Sequence, residues 1–313
     1  MTATTTRRIL VAVKDPGAAP SAPVLKAAQL ARALRAELVL FHAIELPLSA
    51  DAYPGNERQL GDDENSIRRD YLRALEAQAA PLRAQGIAVC VAAEWDFPAS
   101  EALLRHAHAV GADLVAMGQA RGGSAHTTVR EVMRLSPFPV LLVRPAAPYA
   151  SPSLIAALDL MRRGPGARAL NRMICLQAQT LSTALSGSWN VVCAARSPFT
   201  GTARAAIATV LPTSGSPPRS VRFKTASASR AILQSAASTR AQIIVLGAVE
   251  VPELLRLLTG STLRRVVADS SHDILVVKLP GLGVHFSTRV RGPRMISVGM
   301  PPAVWYGRVM GGL

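Results

Sequence analysis

Ile243-Ile244-Val245-Leu246-Gly247 is followed by Ala248-Val249-Glu250, by Pro252 to Thr259, by Gly260-Ser261-Thr262, by Leu263 to Ala268, and by Ile274-Leu275-Val276-Val277. The order reads as a buried strand, a glycine turn, a short apolar helix, a second turn, a helix and another buried strand. A continuous apolar run bounded by turn residues marks a parallel-sheet strand covered on both faces. Gly247 lets the backbone turn sharply at the strand end. Gly260-Ser261-Thr262 opens the next helix with a glycine, two hydroxyls and unpaired amides, a combination that suits an anion.

The same block occurs earlier in the chain. Ala112-Asp113-Leu114-Val115-Ala116-Met117-Gly118 matches Ala241 to Gly247 at an offset of 129, and Val140-Leu141-Leu142-Val143-Arg144 matches Ile274 to Lys278 at an offset of 134. The first copy is therefore five residues shorter between these strands. Upstream, Ile9-Leu10-Val11-Ala12-Val13-Lys14-Asp15 pairs with Ser153-Leu154-Ile155-Ala156-Ala157-Leu158-Asp159, both apolar strands ending in Asp. An internal repeat of roughly 140 residues is the size of one domain. The expected class is α/β, with two tandem doubly wound domains, each a five-stranded parallel sheet flanked by helices. The expected divisions are 1–147, 148–282 and a basic, disordered tail at 283–313.

These residues resemble the universal stress protein family, in particular its tandem members whose first domain is degenerate. The family motif is a glycine, two residues, a second glycine, nine residues, a third glycine, then Ser or Thr. Gly247, Gly260 and Ser261 fall on it, and Glu250 stands where the middle glycine belongs. In the first copy only Gly118 falls on it, and His126-Thr127 occupies the Gly-Ser position. The resemblance implies ATP or another adenine nucleotide in the second domain, across the carboxyl ends of its first and fourth strands. The implied site is Asp159, Gly247, Gly260, Ser261 and Thr262. It also implies a non-enzymatic stress-response protein, acting as a sensor or partner-binding module. Pairing through fifth strands is common in the family, so the two halves are expected to pair as an intrachain pseudo-dimer, with a weak homodimer of such chains beyond it. The same glycines and hydroxyls also suit a turn and a helix cap with no ligand.

Charge supports an alternative. Residues 1–147 hold 16 Lys and Arg against 15 Asp and Glu, whereas residues 148–313 hold 19 against 5. A basic excess confined to one half suits nucleic acid or another polyanion. Cys90, Cys175 and Cys193 are too scattered for a disulfide framework or a zinc site, and Cys193 sits in an apolar run as a buried thiol would. No run of eighteen apolar residues occurs, and the first residues lack the apolar core of a signal peptide. A reduced, cytoplasmic protein is expected.

Along the chain, helices are expected at 22–34, 67–85, 101–110 with Ser100 as cap, and 169–185. Strands are expected at 37–44, 87–92 and 189–195. Residues 49–65 read as a polar rim loop, 145–152 as a linker, and 197–218 as a poorly patterned connection. No catalytic constellation is visible. His106 and His108 are two apart on a helix and read as solvent-facing rather than metal-ligating. His42 reads as a loop histidine at the rim, and Gly122-Gly123-Ser124 as a tight turn.

Overall fold

The computed structural model describes residues 7–46, 48–49, 57–119, 124–248, 261–279 and 295–296. The first half runs β1 (Arg8–Ala12), α1 (Ala22–Leu34), β2 (Glu37–Ile44), β3 (Leu48–Ser49), α2 (Glu57–Ala84), β4 (Val89–Trp95), α3 (Ala99–Ala109), β5 (Leu114–Gly118), α4 (Ser124–Leu135) and β6 (Val140–Val143). The second runs β7 (Ser153–Leu158), α5 (Pro165–Ala184), β8 (Ser188–Ala195), α6 (Gly201–Ala205) with a 3-10 turn at Ala206–Thr209, β9 (Val221–Thr225), α7 (Ala228–Ser238), β10 (Ala241–Gly247), α8 (Ser261–Asp269) and β11 (Asp273–Val277). A last short strand, β12 (Met295–Ile296), pairs in parallel with β3.

Ten strands form one sheet in the order β4-β2-β1-β5-β6-β11-β10-β7-β8-β9. Each half is a five-stranded parallel set with the order of its strands reversing between its first and fourth strands. The halves join where β6 and β11 run antiparallel, Leu141 opposite Leu275. Successive residues of a strand face opposite sides. Leu275 and Val277 therefore enter one core, with α1, α2 and α5, while Ile274 and Val276 enter the other, with α3, α4, α7 and α8. Both faces of this seam are covered, which accounts for its unbroken apolar sequence.

The seam also holds buried polar groups. Asp273 accepts from Lys26 Nζ at 2.7 Å, from Tyr149 Oη at 2.6 Å and from the Arg144 amide at 2.7 Å. Lys26 and Asp273 are almost wholly buried, at 3% and 1% side-chain exposure. A buried charge is tolerated when it is paired and its remaining lone pairs are hydrogen-bonded. Burial, then the Asp273 charge, holds the Tyr149 phenol well above its ordinary range. At the ends of the two fifth strands, Arg144 donates to the Val267 carbonyl of α8 and Lys278 to the Arg134 carbonyl of α4. Each cation thus meets the negative end of the other half's helix. The linker is accordingly anchored in the core by Tyr149, which is 5% exposed.

Several local expectations are corrected. The polar run at 57–65 is helical, because α2 spans 28 residues and starts ten residues before the expected position. One glycine costs a helix only about 1 kcal/mol. Strand β4 extends to Trp95, carried by Glu94, whose charge is met by Arg105 and His106. Helix α5 starts at Pro165, whose missing amide suits a first helical position. Ser100 caps nothing; it lies inside α3, whose N-cap is Pro98. The Gly122-Gly123 turn and the tail at 283–313 lie outside the described residues, apart from Ser124 and β12.

Candidate functional site

In an open α/β sheet, a crevice forms outside the carboxyl ends of strands where strand order reverses. In the second half this lies between β7 and β10, whose ends bring Asp159 and Gly247 to one edge. Asp159 Oδ1 accepts the amides of Met161 and Arg162, each at 3.1 Å, and its backbone is held by Asn171. One carboxylate oxygen thus shapes the loop after β7. Gly247 is dictated by packing: a Cβ there would lie 2.7 Å from Leu170 Cδ2 and 2.8 Å from its Cγ. Gly260 and Glu250 lie outside the described residues. Ser261 is the first residue of α8, and Thr262 follows it.

Thr262 faces a pocket of about 170 Å³ between the amino ends of α7 and α8, lined also by Ala195, Arg196, Ser227, Ser229 and Arg265. Ser227 is the N-cap of α7 but makes no side-chain cap hydrogen bond. Ser229 is 9% exposed, and its hydroxyl has no hydrogen-bond partner among the described residues. Arg196 and Arg265 form no ion pair among the described residues either. Two helix amino ends, two guanidinium groups and three hydroxyls, with no carboxylate among the described lining residues, make a cradle for an anion. The volume lies below the usual range for a whole small-molecule ligand, and suits one phosphoryl group.

The repeat gives an internal control. At the offset of 129, Ser229 corresponds to Ser100; at the offset of 134, Arg265 corresponds to Glu131 and Thr262 to Thr128. In the first half the equivalent gap is closed, because Ser100 Oγ donates to Glu131 Oε2 at 2.5 Å. One charge reversal therefore separates a sealed helix pair from an open, basic one. Sequence inspection found Thr262 but missed Arg196, Ser227, Ser229 and Arg265. The available signals were the i, i+3 spacing of Thr262 and Arg265, which puts both on one helix face, and the reversal against Glu131.

In the first half the loop after β1 is held by side-chain hydrogen bonds. Gln78 of α2 donates to the carbonyls of Asp15, Pro16 and Ala18, at 3.3, 2.9 and 2.9 Å, and so holds down the loop after β1. His42 lies within β2, not in a loop; its Nδ1 is 2.8 Å from the Val13 carbonyl, and its ring leans on Tyr71. Burial lowers its pKa. His106 is not solvent-facing: it stacks on Phe41 and its Nδ1 is 2.6 Å from Glu94 Oε1. That hydrogen bond, more than any other interaction, lowers the Glu94 pKa. Among the described residues no cluster of His, Cys, Asp or Glu could hold a metal ion. No helix among them is long and apolar enough to cross a membrane.

Comparison with known proteins agrees with this architecture. The structure resembles that of a functionally unknown protein from Pseudomonas aeruginosa, with a TM-score of 0.68 and 21% identity over 87% of this chain and 92% of that one. It resembles a universal stress protein from Archaeoglobus fulgidus, with a TM-score of 0.55 and 14% identity over 87% and 97%. The cytoplasmic domain of a prokaryotic cation chloride cotransporter gives 0.50 and 10% over 87% and 95%. At such identities the likeness concerns the fold alone. A search of the curated proteins returned no match. The model of the universal stress protein family, however, matches residues 5–144 and 194–278. With well over half of its residues matched, and two copies of the expected sheet paired edge to edge, the chain belongs to the universal stress protein family.

Proposed function

We propose that the chain is a non-enzymatic sensor of the stress response whose second half alone holds an adenine nucleotide. Support comes chiefly from the replacement of the Ser100–Glu131 closure by unpartnered Ser229 and Arg265. A carboxylate at that point repels a phosphate, and a guanidinium attracts it and can bind it bidentately. Phosphoryl oxygens would lie at the amino end of α8, against Gly260, Ser261, Thr262 and Arg265. The nucleoside would lie across the adjoining strand ends, with Asp159 offering its second carboxylate oxygen to a ribose hydroxyl and Gly247 providing the turn. On this proposal the domains are 1–147 and 148–282, followed by the 283–313 extension. A reducing cytoplasm suits the three free thiols.

The test is thermal unfolding of the full chain with and without ATP and Mg²⁺. A ligand at a hundred times its Kd adds about 2.7 kcal/mol to stability. The gain should vanish in Arg265→Glu, which restores the sealing pair, and in Gly260→Asp, which sets a carboxylate against phosphate. Absence of stabilisation in the unaltered chain, or its persistence in Arg265→Glu, rejects the proposal.

A further inference from the structure

The helix α2 that roofs the loop after β1 has no equivalent of its length in the second half, where α6 and the 3-10 turn occupy the connection. Between that connection, the loop after β7 and the amino end of α5 is a cavity of about 500 Å³, well within the range of small-molecule sites. It lies toward α5, whereas the Thr262 pocket lies between α7 and α8. Arg162, Arg163 and Arg168 line it, and no carboxylate does. Their guanidinium groups make no ion pair or hydrogen bond among the described residues. The first copy has Pro16-Gly17-Ala18 after its strand-end Asp where the second has Leu160-Met161-Arg162-Arg163, so the positive charge came with the opening.

The rest of the lining narrows the chemistry. Gly164, at φ 106°, is the N-cap of α5 and makes no side-chain cap hydrogen bond, so apart from Pro165, which has no amide proton, the first-turn amides are left uncapped. Thr209 Oγ1 donates its proton to the Ala206 carbonyl at 2.8 Å, so toward the cavity it can only accept. Thr202 Oγ1 lies 3.0 Å from Thr200 Oγ1. Leu160 and Val210 add apolar surface. The cavity therefore offers guanidinium groups to a dianion, acceptors to hydroxyl groups and a floor for a carbon skeleton.

We propose that this cavity is a second ligand site, for a small hydroxylated organic phosphate of the sugar-phosphate class. Its phosphoryl group sits on Arg162, Arg163 and Arg168, and its hydroxyl-bearing body lies against Thr209 and Val210. The site is independent of the nucleotide proposal above, shares none of its residues, and would let one half register two anionic metabolites.

Isothermal titration of the full chain with ribose 5-phosphate, ribose and inorganic phosphate tests it. Ribose 5-phosphate should bind, ribose should not, and inorganic phosphate should bind about tenfold more weakly or worse. Arg162→Gln/Arg163→Gln should weaken ribose 5-phosphate by about tenfold or more with an unchanged unfolding midpoint, since both side chains are exposed. Arg196→Gln/Arg265→Gln should leave it within about twofold, because those groups line the other pocket. No binding by the unaltered chain, equal binding of ribose, or equal binding of inorganic phosphate overturns the assignment. Loss in Arg196→Gln/Arg265→Gln with retention in Arg162→Gln/Arg163→Gln also overturns it, and would place the phosphate in the Thr262 pocket instead.

Discussion

The two halves of this chain share a sheet order and differ in what stands at its carboxyl edge. In the first, α2 lies over the loop after β1, Gln78 ties that loop down, and Ser100 and Glu131 close the gap between α3 and α4. In the second, a five-residue helix replaces one of 28, and the positions of Ser100 and Glu131 hold Ser229 and Arg265. The cores changed little. Val129, Val132 and Met133 of α4 have Leu263, Val266 and Val267 as counterparts in α8, and all are buried. Duplication thus kept what packs and released what faces the rim. A loop can lose contacts to water at little cost, whereas a core position must be refilled.

The strongest challenge to this comparison is made at the seam, where the halves are not interchangeable. Asp273 reaches into the first half, and its counterpart at the offset of 134 is Pro139, just before β6. Asp273→Ala leaves the Lys26 charge buried without a partner and should destabilise the chain by roughly 3–5 kcal/mol. Denaturant unfolding reads this directly; a loss below about 1 kcal/mol would mean that Lys26 finds other partners.

Next in size are the strand-four glycines. A methyl group at Gly247 collides with Leu170, while one at Gly118 would lie 3.3 Å from Pro23 Cγ. Gly247→Ala should cost about 1–3 kcal/mol as an overpacked contact, and Gly118→Ala under about 1 kcal/mol. Equal costs would show that the second half is no more tightly packed at this edge.

A third pair addresses the helix gap. Ser100→Ala removes a bond to a carboxylate and should cost about 1.5–3 kcal/mol. Ser229→Ala removes a hydroxyl with no partner and should change stability by less than about 0.5 kcal/mol. The reverse order would mean that the second pocket is closed in solution.

The smallest effect concerns thiols. Burial raises Cys175 and Cys193, both in the second half, from the ordinary 9.0 to about 12. The unfolded chain sheds these protons near pH 9 and the folded chain retains them until about pH 12. The contribution is therefore complete well below pH 9 and is lost as pH rises toward 12, the loss from the two thiols being under about 1 kcal/mol at pH 9 itself. Replacing both residues by Ala should flatten the alkaline limb of stability against pH. An unaltered limb would assign it to other groups, Tyr149 among them.

Hydrophobic pattern made α1 and β2 legible to the residue, since each is a short element with one apolar face or run and clear turns on either side. The same method stopped β4 at Ala92, because Glu94 and Asp96 look like surface residues. Both are met by Arg105, which comes from a different element. Charged partners distant in sequence leave no periodic trace, and for that reason His106 was read as facing solvent. The candidate site divides in the same way. Asp159, Gly247 and Thr262 are readable because each ends a strand or opens a helix. Ser229 and Arg265 become informative only when two helices stand side by side, or when one half is compared with the other.

The antiparallel join of β6 to β11 has a consequence for stoichiometry. Two separate domains pairing through that edge would associate as the square of their concentration. Here the partner is tethered and the contact forms intramolecularly, at an effective concentration set by the linker rather than by expression level. Every molecule contains one half with the Ser100–Glu131 bond and one half with Arg265 at the Glu131 position, whatever the dilution. A cell that makes this protein scarce or abundant changes the number of Arg265 edges but never their ratio to Glu131 edges.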